Sequence, residues 1–140
     1  MNDAGHGERD LARLLGGLEP RLDPRPHRFV TVAAGAEPEW SRRAFARVVE
    51  PEGITLVAAE ATDPALASGA AGRWARITLT VHSALDAVGL IAAVAARLAA
   101  RGIAVNPIAG ARHDHLLVPW ERREEALEEL RRLARETAAP

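Results

Sequence analysis

The chain of 140 residues contains no cysteine and no tyrosine, and only two phenylalanines and three tryptophans. Lack of cysteine excludes a disulfide framework, a thiol nucleophile and a thiolate metal site. The scarcity of aromatics leaves few platforms on which bases could stack. An excess of one charge is missing too: eighteen basic and nineteen acidic side chains sum to -1, so no strong field exists to recruit nucleic acid or anionic membrane. The longest apolar run, Val88 to Ala96, is far shorter than the roughly 20 residues a helix needs to cross a bilayer. The opening MNDAGHGERD lacks the basic start and apolar core of a secretory signal. These absences point to a soluble cytoplasmic protein that binds neither nucleic acid nor membrane.

What is present suits a folded unit: 48% of the residues are hydrophobic, ample for one compact body or two small subdomains sharing a core. The second half is the more regular. Ile77, Leu79 and Val81 alternate with Arg76, Thr78 and Thr80, the two-residue period of a half-buried strand. A helix is expected next, with Ser83 as N-cap and Asp86 in its first turn, where negative charge is favoured and free amides can receive a carboxylate. On its core face the spacing places Val88, Ile91, Ala92, Ala95 and Leu98, with Asp86, Arg97 and Arg101 on the wet face, Leu90 among the polar residues and Val94 near the margin. Gly102 suits its C-terminal end. Gly89 inside the helix calls for compensation, either close approach of backbone or ligand, or tight packing on a strand.

Ile103 to Ala109 and His113 to Val118 read as two strands joined by Gly110, Ala111 and Arg112, and Pro107 places the first at an edge or a bulge. A final amphipathic helix buries Leu127, Leu130, Leu133 and Ala134 and permits the pair Glu128 and Arg132.

This order of elements, with His82-Ser83, Ala87-Val88-Gly89-Leu90, Gly102-Ile103, Asn106, Ala109-Gly110 and His113-Asp114-His115, resembles small bacterial ACT-domain proteins of the tandem type. The resemblance implies an α+β protein of ferredoxin-like βαββα units, two ACT-like halves packed side by side, related to aspartate kinase regulatory domains and the cytosolic arginine sensors of animals. It also implies an amino-acid effector lying between paired domains near the strand-to-helix turn. Asp86 stands where the family has Glu, Pro107 interrupts a usually apolar strand, and Ala111-Arg112 replaces an aromatic pair.

The first half, expected to span residues 1–72 against 73–140 for the second, is a degenerate version of the same order. Residues 1–7 read as a frayed start, and Leu11, Leu14, Leu15 and Leu18 form a short helix ended by Gly16-Gly17 and Pro20. Glu19 to Pro26 is an extended connection, Arg28 to Ala33 a strand, and Gly35 to Arg43 a loop or helical turn in which Trp40 plugs the core edge or stacks on a ligand. Ala44 to Glu50 and Ile54 to Ala59 form a hairpin around Pro51-Glu52-Gly53, and the Glu-Gly pair before its second strand again resembles the family. Thr62 or Asp63 caps a short helix at Pro64, and Ser68 to Gly72 is a link.

Three chemistries compete for the polar residues. His113 and His115 share a strand face and could chelate a metal with His82 as third ligand, but polar contacts at a strand end are the simpler reading, so no metal is expected. Ser83 with a histidine and Asp114 could form a hydrolytic relay, yet Ser83 lacks a nucleophile-elbow setting, and no enzyme activity is expected. No nucleotide-type glycine loop occurs, and no cofactor is expected. Binding of a small amino acid asks least: its carboxylate at His82, Ser83, Ala84, Leu85 and Asp86, its ammonium on Asp114 or Glu52, and backbone near Val88, Gly89, Asn106, Ala109, His113 and His115 around it. The competing function is a protein interaction or oligomerisation module with no small-molecule ligand. A homodimer or a separate output protein is the partner either reading admits.

Overall fold

A computed structural model describes residues 7–69 and 71–138. Residues 1–6, where fraying is expected, and Ala70 in the small-residue link lie outside the described residues. The chain forms helix α1 (Leu11–Gly16), strands β1 (Pro20–Leu22), β2 (His27–Val32), β3 (Ala46–Glu50), β4 (Gly53–Ala59) and β5 (Trp74–Leu79), helix α2 (Leu90–Ala99), strands β6 (Asn106–Ala109) and β7 (Asp114–Pro119), and helix α3 (Arg123–Ala138). Short 3₁₀ turns occupy Glu39–Arg43, Glu60–Thr62, Pro64–Ser68 and Trp120–Arg122.

All strands join one antiparallel sheet in the order β3-β4-β2-β5-β7-β6, with β1 also alongside β5. Each half contributes the same pattern, its first strand beside its third and its third beside its second, and the first strands meet where His27 faces Trp74. These are two ferredoxin-like units with an α2 and an α3 only in the second. The first half carries 3₁₀ turns in the equivalent places, and its buried Arg28 holds those between Glu60 and Ser68. The Arg28 guanidinium donates to Glu60 Oε2 at 3.0 Å, to the Gly69 carbonyl at 3.0 Å and to the Ala67 carbonyl at 3.1 Å. A buried guanidinium is tolerated there because its fork is satisfied.

Strand alternation holds on β5, where Ala75, Ile77 and Leu79 are buried against the helices. With Leu14, Leu15 and Leu18 of the N-terminal segment, Leu90, Val94 and Leu98 of α2, Leu116 and Val118 of β7, and Ala126, Leu127, Leu130 and Ala134 of α3 they form the main core. Thus α1, though early in the chain, completes the helical layer over the second half. Glu19 to Pro26, expected only to be extended, adds β1 to β5 in register Pro20 to Leu79. Pro107 sits on the sheet's edge strand, as its missing amide requires. Glu128 and Arg132 pair at 3.4 Å.

The start of α2 corrects the sequence reading. Ser83 caps no helix; α2 begins at Leu90, its N-cap is Gly89 at φ +100°, and Asp86 lies in the preceding loop. The buried face is therefore Leu90, Val94 and Leu98, spaced four apart, while Val88 is 83% exposed. Periodicity failed here because its window counted residues 83–89 as helical and so rotated the helix. The end held: the Gly102 amide reaches the Ala99 carbonyl at 2.9 Å and the Ile103 amide the Leu98 carbonyl at 3.0 Å, with Gly102 at φ +66°, the pattern of a Schellman close.

Leu98 is fully buried between α3 and the sheet. Leu98→Ala is expected to cost about 2–5 kcal/mol in urea unfolding; a loss below about 1 kcal/mol would contradict this account of the core.

Candidate functional site

The loop between β5 and α2, residues 80–89, is shaped from both sides. The segment Gly7–Glu8 lies along it: the Glu8 amide donates to the His82 carbonyl at 2.9 Å and the Ala84 amide to the Glu8 carbonyl at 3.0 Å. A Cβ on Gly7 would meet the Ala84 nitrogen at 2.3 Å, so only glycine permits this approach. Arg9 grips Asp86 with Nε at 3.0 Å and a terminal nitrogen at 3.3 Å. At the helix start Leu11 packs over Gly89, whose missing Cβ would come within 3.0 Å of Leu11 Cδ2.

Beneath this loop lies a cavity of about 220 Å³ lined by residues of the second half, among them Ser83, Leu85, Gly89, Ile91, Ala109 and Asp114. Gly89 supplies no side-chain cap. The first intrahelical bond runs from the Ala93 amide to the Gly89 carbonyl at 2.9 Å, which leaves the amides of Leu90, Ile91 and Ala92 without an intrahelical acceptor. Asp114, also in the lining, stands at the start of β7, directly opposite Ala109 of β6. The buried Ser83 hydroxyl donates to Asp114 Oδ2 at 3.4 Å. Among the described residues Asp114 has no ion-pair partner within 4.0 Å. The arrangement therefore brings hydrogen-bond donors and a carboxylate into one lining whose other side chains, Ser83 apart, are aliphatic.

Of the residues singled out in the sequence, the fold brings Ser83, Ala84, Leu85, Gly89, Ala109 and Asp114 together around this space. It does not bring the others. Glu52 is exposed in the β3–β4 turn and Asn106 is exposed on β6, Val88 points to solvent, and Asp86 is held by Arg9 outside the lining. His113 flanks the site, its Nδ1 3.4 Å from the Val81 carbonyl and its ring edge-on to His82 at 6.5 Å. Among the described residues Ser83 has no histidine hydrogen-bond partner, and they assemble no hydrolytic relay. No three of the described histidines, aspartates and glutamates converge as a metal site. Sequence reasoning missed the wall formed by Ala87, Leu90, Ile91 and Ala92. A glycine directly before an apolar run was the clue, since glycine is itself an acceptable N-cap.

His115 belongs to the opposite face of the sheet. Its Nδ1 lies 2.9 Å from Thr78 Oγ1 and its ring is edge-on to Phe45 at 4.9 Å. Phe45 also stands edge-on to His27 and beneath the Arg76 guanidinium, 4.2 Å from the ring centroid. Arg76 in turn bonds Asp23 at 2.8 Å, and Asp23 is held well below the usual carboxylate range by its hydrogen bonds from Arg25 and Arg76. Burial lowers the pKa of both His27 and His115, and the nearby Arg76 adds to this. Trp40 is half-buried in the 3₁₀ turn Glu39–Arg43, remote in sequence from the cavity lining.

Both halves match known families. Residues 6–69 and residues 71–132 each match an ACT domain. A Vibrio cholerae protein of unknown function, described as a possible transport protein, is 39% identical, with 89% of this chain and 95% of that one covered at a TM-score of 0.77. An Agobacterium tumefaciens protein is 17% identical, with 79% and 84% covered at a TM-score of 0.62. The regulatory subunit of aspartate kinase from Thermus flavus shares the fold at 13% identity, with 84% and 98% covered at a TM-score of 0.54. No curated protein matches by sequence.

Two outcomes follow from this geometry. Gly89→Ala must hold an L residue at φ +100° against Leu11 and is expected to lose about 1–2 kcal/mol in denaturant unfolding. His27 and His115 are depressed below 6.5 in the folded protein, so the unfolded chain takes up protons more readily. Their contribution is intact above that value and declines as pH falls toward the folded pKa values. Unfolding free energy should therefore decline as pH falls through about 6.5 and below, and the decline should shrink in His115→Gln.

Proposed function

Because the chain belongs to the tandem ACT-domain family, with an ACT domain matched in each half, we propose that it is a non-catalytic regulatory protein that binds a free amino acid at the start of α2. One observation carries the reading: a cavity whose lining holds both uncapped helix amides and Asp114, which has no ion-pair partner among the described residues. A zwitterion complements both groups. Its carboxylate accepts from the amides of Leu90, Ile91 and Ala92, where the helix dipole also favours negative charge. Its ammonium donates to Asp114, a charge-assisted bond stronger than a neutral one.

Among the described residues the lining comes from the second half, so this reading puts the ligand inside that ACT unit, not between the two halves as the family resemblance implied. The first half still touches the site from outside, through Glu8 on the loop, Arg9 on Asp86 and Leu11 on Gly89. Filling the cavity would act on those contacts and pass a change to the first half, and from there to a separate output protein. No helix among the described residues is long and apolar enough to cross a membrane.

One observation favours the interaction module as second reading: Leu85 and Val88 are 64% and 83% exposed beside the cavity, and clustered exposed apolar side chains favour contact with another protein.

The test is thermal unfolding of the whole chain with each common amino acid in turn. At least one is expected to raise the midpoint, by mass action on the folded state, and Asp114→Asn to abolish the rise. A flat response to all of them, with a midpoint that depends on protein concentration, would replace ligand binding with oligomerisation.

A further inference from the structure

The cavity wall also restricts which amino acid fits. We propose that the site selects a short, uncharged aliphatic side chain, as in alanine or valine, and rejects acidic, basic and aromatic amino acids; this rests on the amino-acid reading above. Among the described residues Asp114 is the only charged one in the lining. Once it holds the ammonium, nothing is left to meet a second charge. An acidic side chain would bring its carboxylate toward Asp114 with no cation among the described lining residues to offset the like-charge repulsion. The nearest arginine on the loop, Arg9, is bound to Asp86 and lies outside the wall. A basic side chain would need a second carboxylate. Asp86 is neither in the lining nor free.

Ser83 apart, the other side chains described in the lining, Leu85, Ala87, Leu90, Ile91, Ala92 and Ala109, are aliphatic, and polar main-chain atoms lie between them. None of them is aromatic, so none can stack on a ring. Specificity of this kind comes as much from the unpaired charge imposed on a wrong ligand as from contacts with the right one. Ala109 sets the length limit, because its Cβ stands beside Asp114 on the same face of the β6–β7 pair.

Calorimetric titration of the full chain with alanine, valine, leucine, aspartate, lysine and phenylalanine tests this, repeated on Asp114→Asn and on Ala109→Leu. Ala109 is exposed on an edge strand, so the second variant keeps the core intact if the first fails to fold. One of the three aliphatic amino acids should bind at least about tenfold more tightly than aspartate, lysine or phenylalanine. Asp114→Asn should weaken it by about tenfold or more. Ala109→Leu should weaken leucine more than alanine. If aspartate, lysine or phenylalanine binds tightest and loses affinity in Asp114→Asn, the site stands and the selectivity is wrong. If none of the six binds, or both variants bind as the parent does, the selectivity falls together with the site.

Discussion

The rotation of α2 about its own axis is the constraint on which the site depends. Leu90, Val94 and Leu98 are buried four residues apart against β5, β7 and α3, and a helix anchored by that stripe can begin no earlier than the sharp bend at Gly89. The bend needs φ +100°, which glycine adopts without a steric penalty. It also has no side chain with which to cap. The free amides that follow are thus a direct consequence of core packing and not of any polar motif.

The rest of the loop is held so that those amides stay open. Ser83, which would be an ordinary cap elsewhere, is buried and directed at Asp114 instead. Asp86 is drawn outward by Arg9. The Glu8 strand contact, permitted by Gly7, keeps residues 82–84 extended. At its far end α2 is fastened to α3 by Arg97, which bonds Glu129 at 2.9 Å and Glu136 at 2.7 and 2.9 Å. A partly buried, bidentate network of this kind fixes orientation more than it adds stability. The helix is therefore positioned at both ends by groups that take no part in the cavity itself.

The two halves show how far one plan can diverge. Both keep the strand order, since the pairing of main chains tolerates almost any side chain that fits the pleat. Only the second keeps its helices. In the first, Arg28 bonds Glu60 and two carbonyls where a helix would have packed, and α1 from the start of the chain moves across to the second half. The helical layer is thus concentrated over β5 and β7, where the cavity lies.

The sequence by itself determined much of this: the period-two strand β5, the amphipathic α3 with its pair of Glu128 and Arg132, the Gly102 stop, the turn at Pro51-Glu52 and the edge position of Pro107 all rest on local chemistry that the neighbours only reinforce. Ser83, Gly89, Ala109 and Asp114 were legible as residues of interest for the same reason, each being a small or polar residue at a break between elements. Tertiary structure alone decided where α2 starts and which face it buries, because a run rich in alanine satisfies several helical registers almost equally and only the fit of Leu90, Val94 and Leu98 against a distant sheet and α3 separates them. It also decided that Glu52, Asn106, Val88 and His115 stand apart from the cavity. Distances between residues far apart in the chain depend on how strands order themselves in a sheet, and no local pattern carries that information.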